Sequence, residues 1–239
     1  MARPIRGILF DKDGTIIDYW RTWVPINRQV ALYAARGDRA LAERLLRLGG
    51  HDPETDRVAA GTPLAAGDYH DIAAAFAAHP GIEATPELTA GIERIFRSGG
   101  ALHSALLAGA RETIVELKAR GFRIGLATND SAGGLAASLT RHGILELCDF
   151  AAGCDSGFGT KPGPGMVLAF CEAAGLVPAE AAVVGDAVHD LAMGRAAGAA
   201  LNIGVLSGTS GRADLEGYAD LILDSINDMP ALPQFAGPA

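Results

Sequence analysis

From about residue 102 onward, the sequence alternates between segments with helical spacing and short apolar segments typical of strands. The predicted helices cover residues 111–120, 131–142, 165–174 and 187–197, and the predicted strands cover 122–127, 149–152 and 181–184, with short strands near Leu201 and Leu221. An earlier apolar run, Ile5 to Phe10, predicts one more buried strand. Such alternation is typical of a parallel sheet covered by helices on both faces. We therefore predict an α/β fold with a Rossmann-like parallel sheet.

The segment between the first strand and residue 103 has a different character. It is rich in Ala and Leu, and helical spacing is predicted over residues 22–36, 38–48, 68–79 and 85–97. Thr85, Pro86 and Glu87 form a typical helix start, with a capping hydroxyl, a proline in the first turn and an acid near the helix N-terminus. We predict an inserted α-helical domain, which we call the cap, over residues 19–103. The α/β core domain would then comprise residues 1–18 and 104–239.

The composition argues against several classes of protein. The 239 residues are 49% hydrophobic and 20% charged, as in globular proteins. The net charge of −8 disfavours a nucleic acid or an anionic membrane as partner, because both require clustered Lys and Arg. The longest apolar run, near residues 72–78, is far shorter than the roughly 20 residues that span a bilayer. We expect a cytoplasmic monomer or homodimer that binds neither nucleic acid nor membranes.

Two other sequence features receive simple interpretations. The three cysteines, Cys148, Cys154 and Cys171, have the spacing of neither a disulfide framework nor a zinc site. We expect them to be ordinary core or surface thiols. Residues 230–239 contain Pro and Gly, and we expect this tail to be loosely held.

Polar residues lie at the C-terminal ends of three of the predicted strands. Asp11 follows the first strand, Thr128 follows the strand that ends at Ala127, and Asp186 follows the strand that ends at Val184. Ligands of open α/β sheets bind outside the carboxyl ends of the strands. We therefore expect these residues, which are distant in sequence, to form one site.

The acidic residues of this site suit a divalent cation. Asp11 and Asp13 are close in sequence, and two neighbouring carboxylates repel each other unless a cation lies between them. Asp186 and Asp190 repeat this pattern after another strand, although Asp186 can also be a simple helix cap and Asp190 a surface acid. Mg²⁺ prefers hard oxygen ligands and retains several waters, which suits few carboxylates together with a substrate phosphate.

Two further motifs suit an anion. Thr128 and Asn129 offer a hydroxyl and backbone amides at a predicted helix start, where phosphate binds readily, although a Thr-Asn pair also forms simple turns. Lys161 lies in a loop with Gly159, Pro162 and other turn-forming residues. A lysine among carboxylates and a phosphate offsets their negative charge, whereas in most proteins such a lysine is solvated.

Four stretches carry a resemblance to a known family. They are Phe10-Asp11-Lys12-Asp13-Gly14-Thr15, Ala127-Thr128-Asn129, Lys161-Pro162 and Gly185-Asp186-Ala187-Val188-His189-Asp190. Their order and spacing resemble the haloacid dehalogenase superfamily, specifically its phosphatases with a helical cap, of the phosphoglycolate phosphatase-like type. The resemblance covers nearly the whole chain. It implies that Asp11 is a nucleophile that forms an aspartyl-phosphate, and that Asp13 is the general acid and then the general base.

The resemblance also implies roles for the other motif residues. Mg²⁺ would be held by the nucleophile, the backbone carbonyl of Asp13 and Asp186, with Asp190 supporting the site. Thr128 and the Asn129 amide would bind the phosphoryl oxygens. Lys161 would serve both catalysis and phosphate binding by stabilising charge. The implied substrate is a small phosphorylated metabolite, such as phosphoglycolate or a sugar phosphate.

Individual residues distinguish the branches of that superfamily. Its dehalogenases lack an acid two positions after the nucleophile, so Asp13 favours phosphate esters. Its cation pumps have a similar string, but they lack an Asp at this position and have transmembrane helices. Its phosphonate hydrolases need a cap lysine, and residues 19–103 contain none. Lys12 stands where close relatives often have an apolar residue; we expect its backbone amide to face phosphate and its side chain to lie elsewhere.

Alternatives remain open at this stage. A phosphosugar mutase would pass the phosphoryl group to a sugar rather than to water, and a non-catalytic binding or regulatory protein could share the fold. Specificity is expected in the cap. Eight aromatic or polar residues there are candidates for substrate contact, each expected chiefly to pack or be solvated: Tyr19, Trp20, Arg21, Trp23, His51, Arg57, Tyr69 and His70. Arg57 is the best candidate for an anion contact. His189 is expected at a loop surface, with substrate contact as the alternative.

Overall fold

A six-stranded sheet forms the centre of the computed structural model, which describes residues 3–237. Its strands are β1 (Gly7–Phe10), β2 (Arg123–Ala127), β3 (Phe150–Ala152), β4 (Ala181–Gly185), β5 (Leu201–Val205) and β6 (Leu221–Leu223). The strand order is β3-β2-β1-β4-β5-β6, and every neighbouring pair is parallel. The predicted parallel α/β sheet is therefore confirmed.

The helices fall into two groups along the chain. Those of residues 19–103 are α1 (Tyr19–Ala34), α2 (Arg39–Leu48), α3 (Pro63–Ala66), α4 (Tyr69–Ala77) and α5 (Pro86–His103). Those that follow are α6 (Ala110–Ala119), α7 (Ala132–Leu139), α8 (Gly165–Ala174), α9 (Val188–Ala197) and α10 (Arg212–Leu215). None of the helices in the described part of the chain is long and apolar enough to cross a membrane.

Both faces of the sheet are packed against helices. Ile8 and Phe10 point to one face, where their cluster includes Leu117 of α6. Leu9 points to the opposite face, where it packs in a cluster with Phe170 of α8. Successive residues of a strand point to opposite faces, so a strand covered on both faces must be apolar throughout. This explains the uninterrupted apolar run that predicted β1.

The helices of residues 19–103 enclose a hydrophobic cluster of their own. It includes Val30 of α1, Leu45 of α2, Phe76 of α4 and Ile92 of α5, and all its members precede residue 104. An independent cluster is what a cap domain needs for its own stability. The division into a cap of residues 19–103 and a core of residues 1–18 and 104–239 stays a prediction, and residues 1–2 and 238–239 lie outside the described part.

Helix α5 extends further than its sequence pattern predicts. The prediction ended it at Arg97, but the helix continues through Ser98, Gly99 and Gly100 to His103 although glycine disfavours helix. Both glycines are buried, and a Cβ on Gly99 would lie 2.7 Å from Ile26 Cδ1. The glycines therefore let α5 approach its neighbours closely, and this packing outweighs their low helix propensity.

The predicted loose tail is wrong over its described residues. Two short 3₁₀ segments, Ile226–Ala231 and Pro233–Phe235, follow β6. The Phe235 side chain is fully buried against Phe122, with 5.6 Å between the ring centroids. The Arg120 guanidinium donates to the backbone carbonyls of Pro230 and Phe235, both at 2.7 Å. Apolar burial and these two hydrogen bonds hold the tail against the core.

Candidate active site

Three buried polar residues meet at the carboxyl edge of the central strands. Asp11 follows β1, Thr128 follows β2 and Asp186 follows β4, and β1 lies between β2 and β4 in the sheet. Their exposed fractions are only 7%, 2% and 4%. The parallel topology thus brings together residues that are far apart in sequence, at the sheet edge where ligands of such folds bind.

Lys161 joins two carboxylates beneath this edge. Its Nζ lies 2.5 Å from Asp11 Oδ1 and 2.6 Å from Asp190 Oδ1, and its side chain is fully buried. Its backbone N–H donates to Asn129 Oδ1 at 2.9 Å, which ties the Lys161 loop to the loop after β2. Burial alone would lower the pKa of Lys161, but Asp11 and Asp190 raise it above its ordinary value. The ammonium group therefore remains charged.

Burial and mutual repulsion raise the pKa of two of the acids. Burial raises the pKa of Asp11 to about 6, although Lys161 opposes the shift. Burial, followed by the charges of Asp11 and Asp190, raises the pKa of Asp186 to about 8. Burial would also raise the pKa of Asp190, but Lys161 and His189 hold it below its ordinary value. The ionised forms of Asp11 and Asp186 are therefore disfavoured in this site, and a cation bound between them would favour ionisation.

The acidic cluster has the donor set of a magnesium site. Carboxylate oxygens of Asp11, Asp186 and Asp190 lie within 4.8 Å of one another, and all three residues are buried. Several hard oxygen donors held this close together fit Mg²⁺. Both Asp190 oxygens already accept hydrogen bonds, from Lys161 Nζ and from the Ala187 N–H, so Asp190 is better suited to support the site. The Asp13 side chain lies outside this cluster, and its backbone carbonyl stays the predicted ligand.

The Asp13 side chain instead faces the cap and Lys12. Trp23 of α1 donates its indole N–H to Asp13 Oδ1 at 2.5 Å. Lys12 Nζ lies 2.9 Å from Asp13 Oδ2 and 2.8 Å from Asp130 Oδ2, and its side chain is fully buried. The expectation that the Lys12 side chain lies away from a bound phosphate stays a prediction, and the side chain does not line the cavity beside Asp11. Two carboxylates and the face of the Trp23 ring, 4.7 Å from Nζ, hold the ammonium group beside Asp13.

Asp130 is a site residue that the sequence did not reveal. It follows Asn129 in the loop after β2, and its Oδ1 accepts hydrogen bonds from the Tyr69 hydroxyl of α4 and from the Ser131 N–H. Its only sequence signal is an acid at a strand end next to a predicted phosphate-binding residue. Together with Lys12, Asp130 links the cap to the loop that carries Asp13.

Of the other residues singled out from the sequence, His189 lies at the site, whereas Arg57, Trp20 and His51 do not. His189 lies in the first turn of α9 rather than in a surface loop, and its Nδ1 is 3.1 Å from Asp190 Oδ1. By contrast, Arg57 stacks over the Trp20 ring at 5.4 Å, and the buried His51 contacts Asp56 at 3.0 Å. Arg57, Trp20 and His51 do not line the cavity beside Asp11.

A small cavity of about 80 Å³ lies between the carboxyl edge of the sheet and the helices of residues 19–103. The sheet edge contributes Asp11, Asp13 and Thr128, and the cap contributes aromatic and aliphatic side chains. The small cavity shares Ala66 and His189 with a larger one of about 760 Å³ between cap and core. A ligand bound at Asp11 would therefore contact the core through its polar end and the cap through the remainder.

Comparison with known proteins identifies a hydrolase family and phosphatase relatives. The family model described as a haloacid dehalogenase-like hydrolase matches residues 5–198. The phosphoglycolate phosphatase of Shigella sonnei is 28% identical over 244 aligned residues, which cover 95% of this chain and 92% of the relative.

Two solved structures share the fold. A predicted phosphoglycolate phosphatase from Haemophilus somnus has a TM-score of 0.72 at 22% identity and covers 95% of this chain and 97% of its own. A HAD family hydrolase from Deinococcus radiodurans, solved with bound phosphate and sodium, has a TM-score of 0.67 at 24% identity and covers 95% and 94%.

Proposed function

The chain belongs to the haloacid dehalogenase-like hydrolases, and we propose that it is a Mg²⁺-dependent phosphatase acting through an aspartyl-phosphate on Asp11. Its substrate is a small phosphorylated metabolite. The observation that carries the proposal is the buried Asp11 carboxylate, 2.5 Å from Lys161 and clustered with Asp186 at the sheet edge. The phosphoglycolate phosphatase of Shigella sonnei supports the same reaction class.

Asp11 is the nucleophile. Lys161 bonds Oδ1 of this carboxylate, which leaves Oδ2 to attack phosphorus and form the covalent intermediate. Because burial raises the pKa of Asp11, the Lys161 ammonium is needed to keep the carboxylate ionised. The same ammonium offsets the charge that develops on the transferred phosphoryl group.

Asp13 is the general acid and then the general base. Burial raises the pKa of Asp13 above its ordinary value although Lys12 opposes the shift, and a raised pKa suits a carboxyl that must donate a proton near neutral pH. After the leaving group has departed, the Asp13 carboxylate takes a proton from the water that attacks the intermediate. The contacts to Trp23 and Lys12 hold both oxygens in place.

Thr128, Asn129 and the metal site bind the phosphoryl group. The Thr128 hydroxyl oxygen accepts from the Asp130 N–H at 3.1 Å, so its hydrogen is free to donate to a phosphoryl oxygen. Asp11, Asp186 and the Asp13 carbonyl would hold Mg²⁺. When bound, Mg²⁺ would offset the negative charge of the phosphate and the carboxylates.

Magnesium removal is the first test. We expect excess chelator to abolish hydrolysis of p-nitrophenyl phosphate and added Mg²⁺ to restore it. Mg²⁺ should also raise the melting temperature, because a cation that binds only the folded site stabilises it by about 2.7 kcal/mol at 100 times its Kd.

The matched variants are Asp186→Asn and Asp224→Asn; Asp224 is exposed. The thermal shift should shrink in Asp186→Asn and persist in Asp224→Asn. Hydrolysis that continues unchanged in excess chelator would refute the metal dependence.

A further inference from the structure

The cap side of the small cavity is apolar. Tyr19, Trp23, Leu64, Ile72 and Phe96 all line it, and the first four are buried in the cap's own hydrophobic cluster. Such surfaces bind the uncharged carbon atoms of a ligand and disfavour charged groups.

The polar atoms of this wall already have partners. The Trp23 indole N–H donates to Asp13, and the Tyr69 hydroxyl donates to Asp130. The Tyr19 hydroxyl donates to the Leu64 carbonyl at 2.6 Å. A new acceptor on the substrate would have to displace one of these bonds, so the wall provides little hydrogen bonding for a second anionic group.

The charges around the cavity are also unfavourable to a second anion. Carboxylates outnumber lysines at the site: Asp11, Asp13, Asp130, Asp186 and Asp190 against Lys12 and Lys161. The Mg²⁺ of the proposed function would be held by Asp11 and Asp186 and would offset the charge of the phosphoryl group bound there. Both lysines are fully buried and each bonds two of these carboxylates.

No arginine among the described residues lines either the small cavity or the larger one. His189 lines both cavities and Lys161 lines the larger one, but each is already paired with Asp190. A carboxylate on the substrate would therefore meet acids and apolar side chains without an unpaired cationic side chain to contact. Burying an unpaired charge in such a place is costly.

We propose that the alcohol part of the substrate carries no charge and presents an apolar face to the cap, so that a carboxylate-bearing ester such as phosphoglycolate is a poor substrate. This specificity rests on the proposed phosphatase function and narrows it. The proposed substrate preference differs from the activity named for the Shigella sonnei relative, a phosphoglycolate phosphatase.

A pair of matched esters tests the proposal. Phosphoglycolate and hydroxyacetone phosphate have nearly the same shape, but the second has a methyl ketone in place of the carboxylate. With wild-type protein and saturating Mg²⁺, we expect kcat/KM to be at least about 100-fold higher for hydroxyacetone phosphate, in line with the cost of an unpaired buried charge.

The outcomes separate this proposal from the function on which it rests. Equal rates for the two esters, or a preference for phosphoglycolate, would overturn the charge specificity and leave the phosphatase intact. If p-nitrophenyl phosphate and both esters all resist hydrolysis in Mg²⁺, the proposed function fails and the specificity fails with it.

A charge-insertion variant tests the physical cause. Ala66 of α3 lines both cavities, so Ala66→Lys places a cation at the wall, and Ala66→Met adds similar bulk without charge. We expect Ala66→Lys to reduce the preference for hydroxyacetone phosphate by about tenfold or more, as one new charge pair allows, and Ala66→Met to preserve it. Folding of both variants is checked by thermal melting. A folded Ala66→Lys protein with the same preference as Ala66→Met would contradict the charge explanation.

Discussion

Asp11→Asn should lower kcat for p-nitrophenyl phosphate by at least about 10⁴-fold, because removal of a nucleophile eliminates the covalent pathway. The fold should persist. Asn has nearly the same volume, Lys161 keeps its 2.6 Å contact with Asp190, and the loss of one charge relieves repulsion with Asp186. Steady-state kinetics and thermal melting measure the two effects separately.

The control for this substitution is Asp224→Asn, which makes the same chemical change at an exposed position. It should retain wild-type kcat and melting temperature. Activity of Asp11→Asn within tenfold of the wild type would remove Asp11 from the nucleophile role. An unfolded Asp11→Asn protein would show instead that the Asp11–Lys161 pair is required for stability.

Lys12→Met should lower the free energy of unfolding by about 3–5 kcal/mol, the usual cost of removing one member of a buried ion pair. Lys12 is fully buried, and its loss leaves Asp13 and Asp130 without their shared cation. Burial alone would lower the pKa of Lys12, but these two acids raise it above its ordinary value, so the folded protein contains the charged form. Urea denaturation measures the change.

The same variant should affect catalysis according to the leaving group. Alkyl esters need a proton from Asp13, whereas p-nitrophenolate leaves without one. If Lys12 holds Asp13 in place, Lys12→Met should reduce kcat/KM for hydroxyacetone phosphate about tenfold more than for p-nitrophenyl phosphate. An equal loss for both esters would indicate a purely structural role.

Lys118→Met is the matched control for stability. Lys118 is partly exposed and pairs with Asp149 at 3.2 Å, and such surface pairs contribute at most about 1 kcal/mol. A loss of stability in Lys12→Met no greater than that in Lys118→Met would contradict the buried-pair account.

The core of the site could be predicted from sequence because it depends on local patterns. An apolar strand followed by an acid places Asp11 at a strand end, and parallel topology then brings Thr128 and Asp186 to the same edge. No long-range contact had to be known in advance. The alternation of helices and strands determined the topology, and the topology determined the neighbours.

The Lys12 and Asp130 contacts could not be predicted in this way. They join residues 118 positions apart in the sequence, and they depend on how the cap packs against the core, since Trp23 and Tyr69 complete the network. The full length of helix α5 could not be predicted either, because Gly99 is needed where Ile26 of α1 approaches the helix closely. Helix propensity depends on the residues of a segment alone, whereas these contacts and the end of α5 depend on the residues that pack against the segment.

Peptide mass mapping of acid-quenched Asp13→Asn protein during turnover of p-nitrophenyl phosphate tests the central claim most directly. The variant can still form the intermediate with this leaving group, but it lacks the carboxylate that would activate water. The account predicts that the peptide containing Asp11 gains the mass of one phosphoryl group. Turnover without that modification, or with the phosphoryl group on another residue, would contradict it.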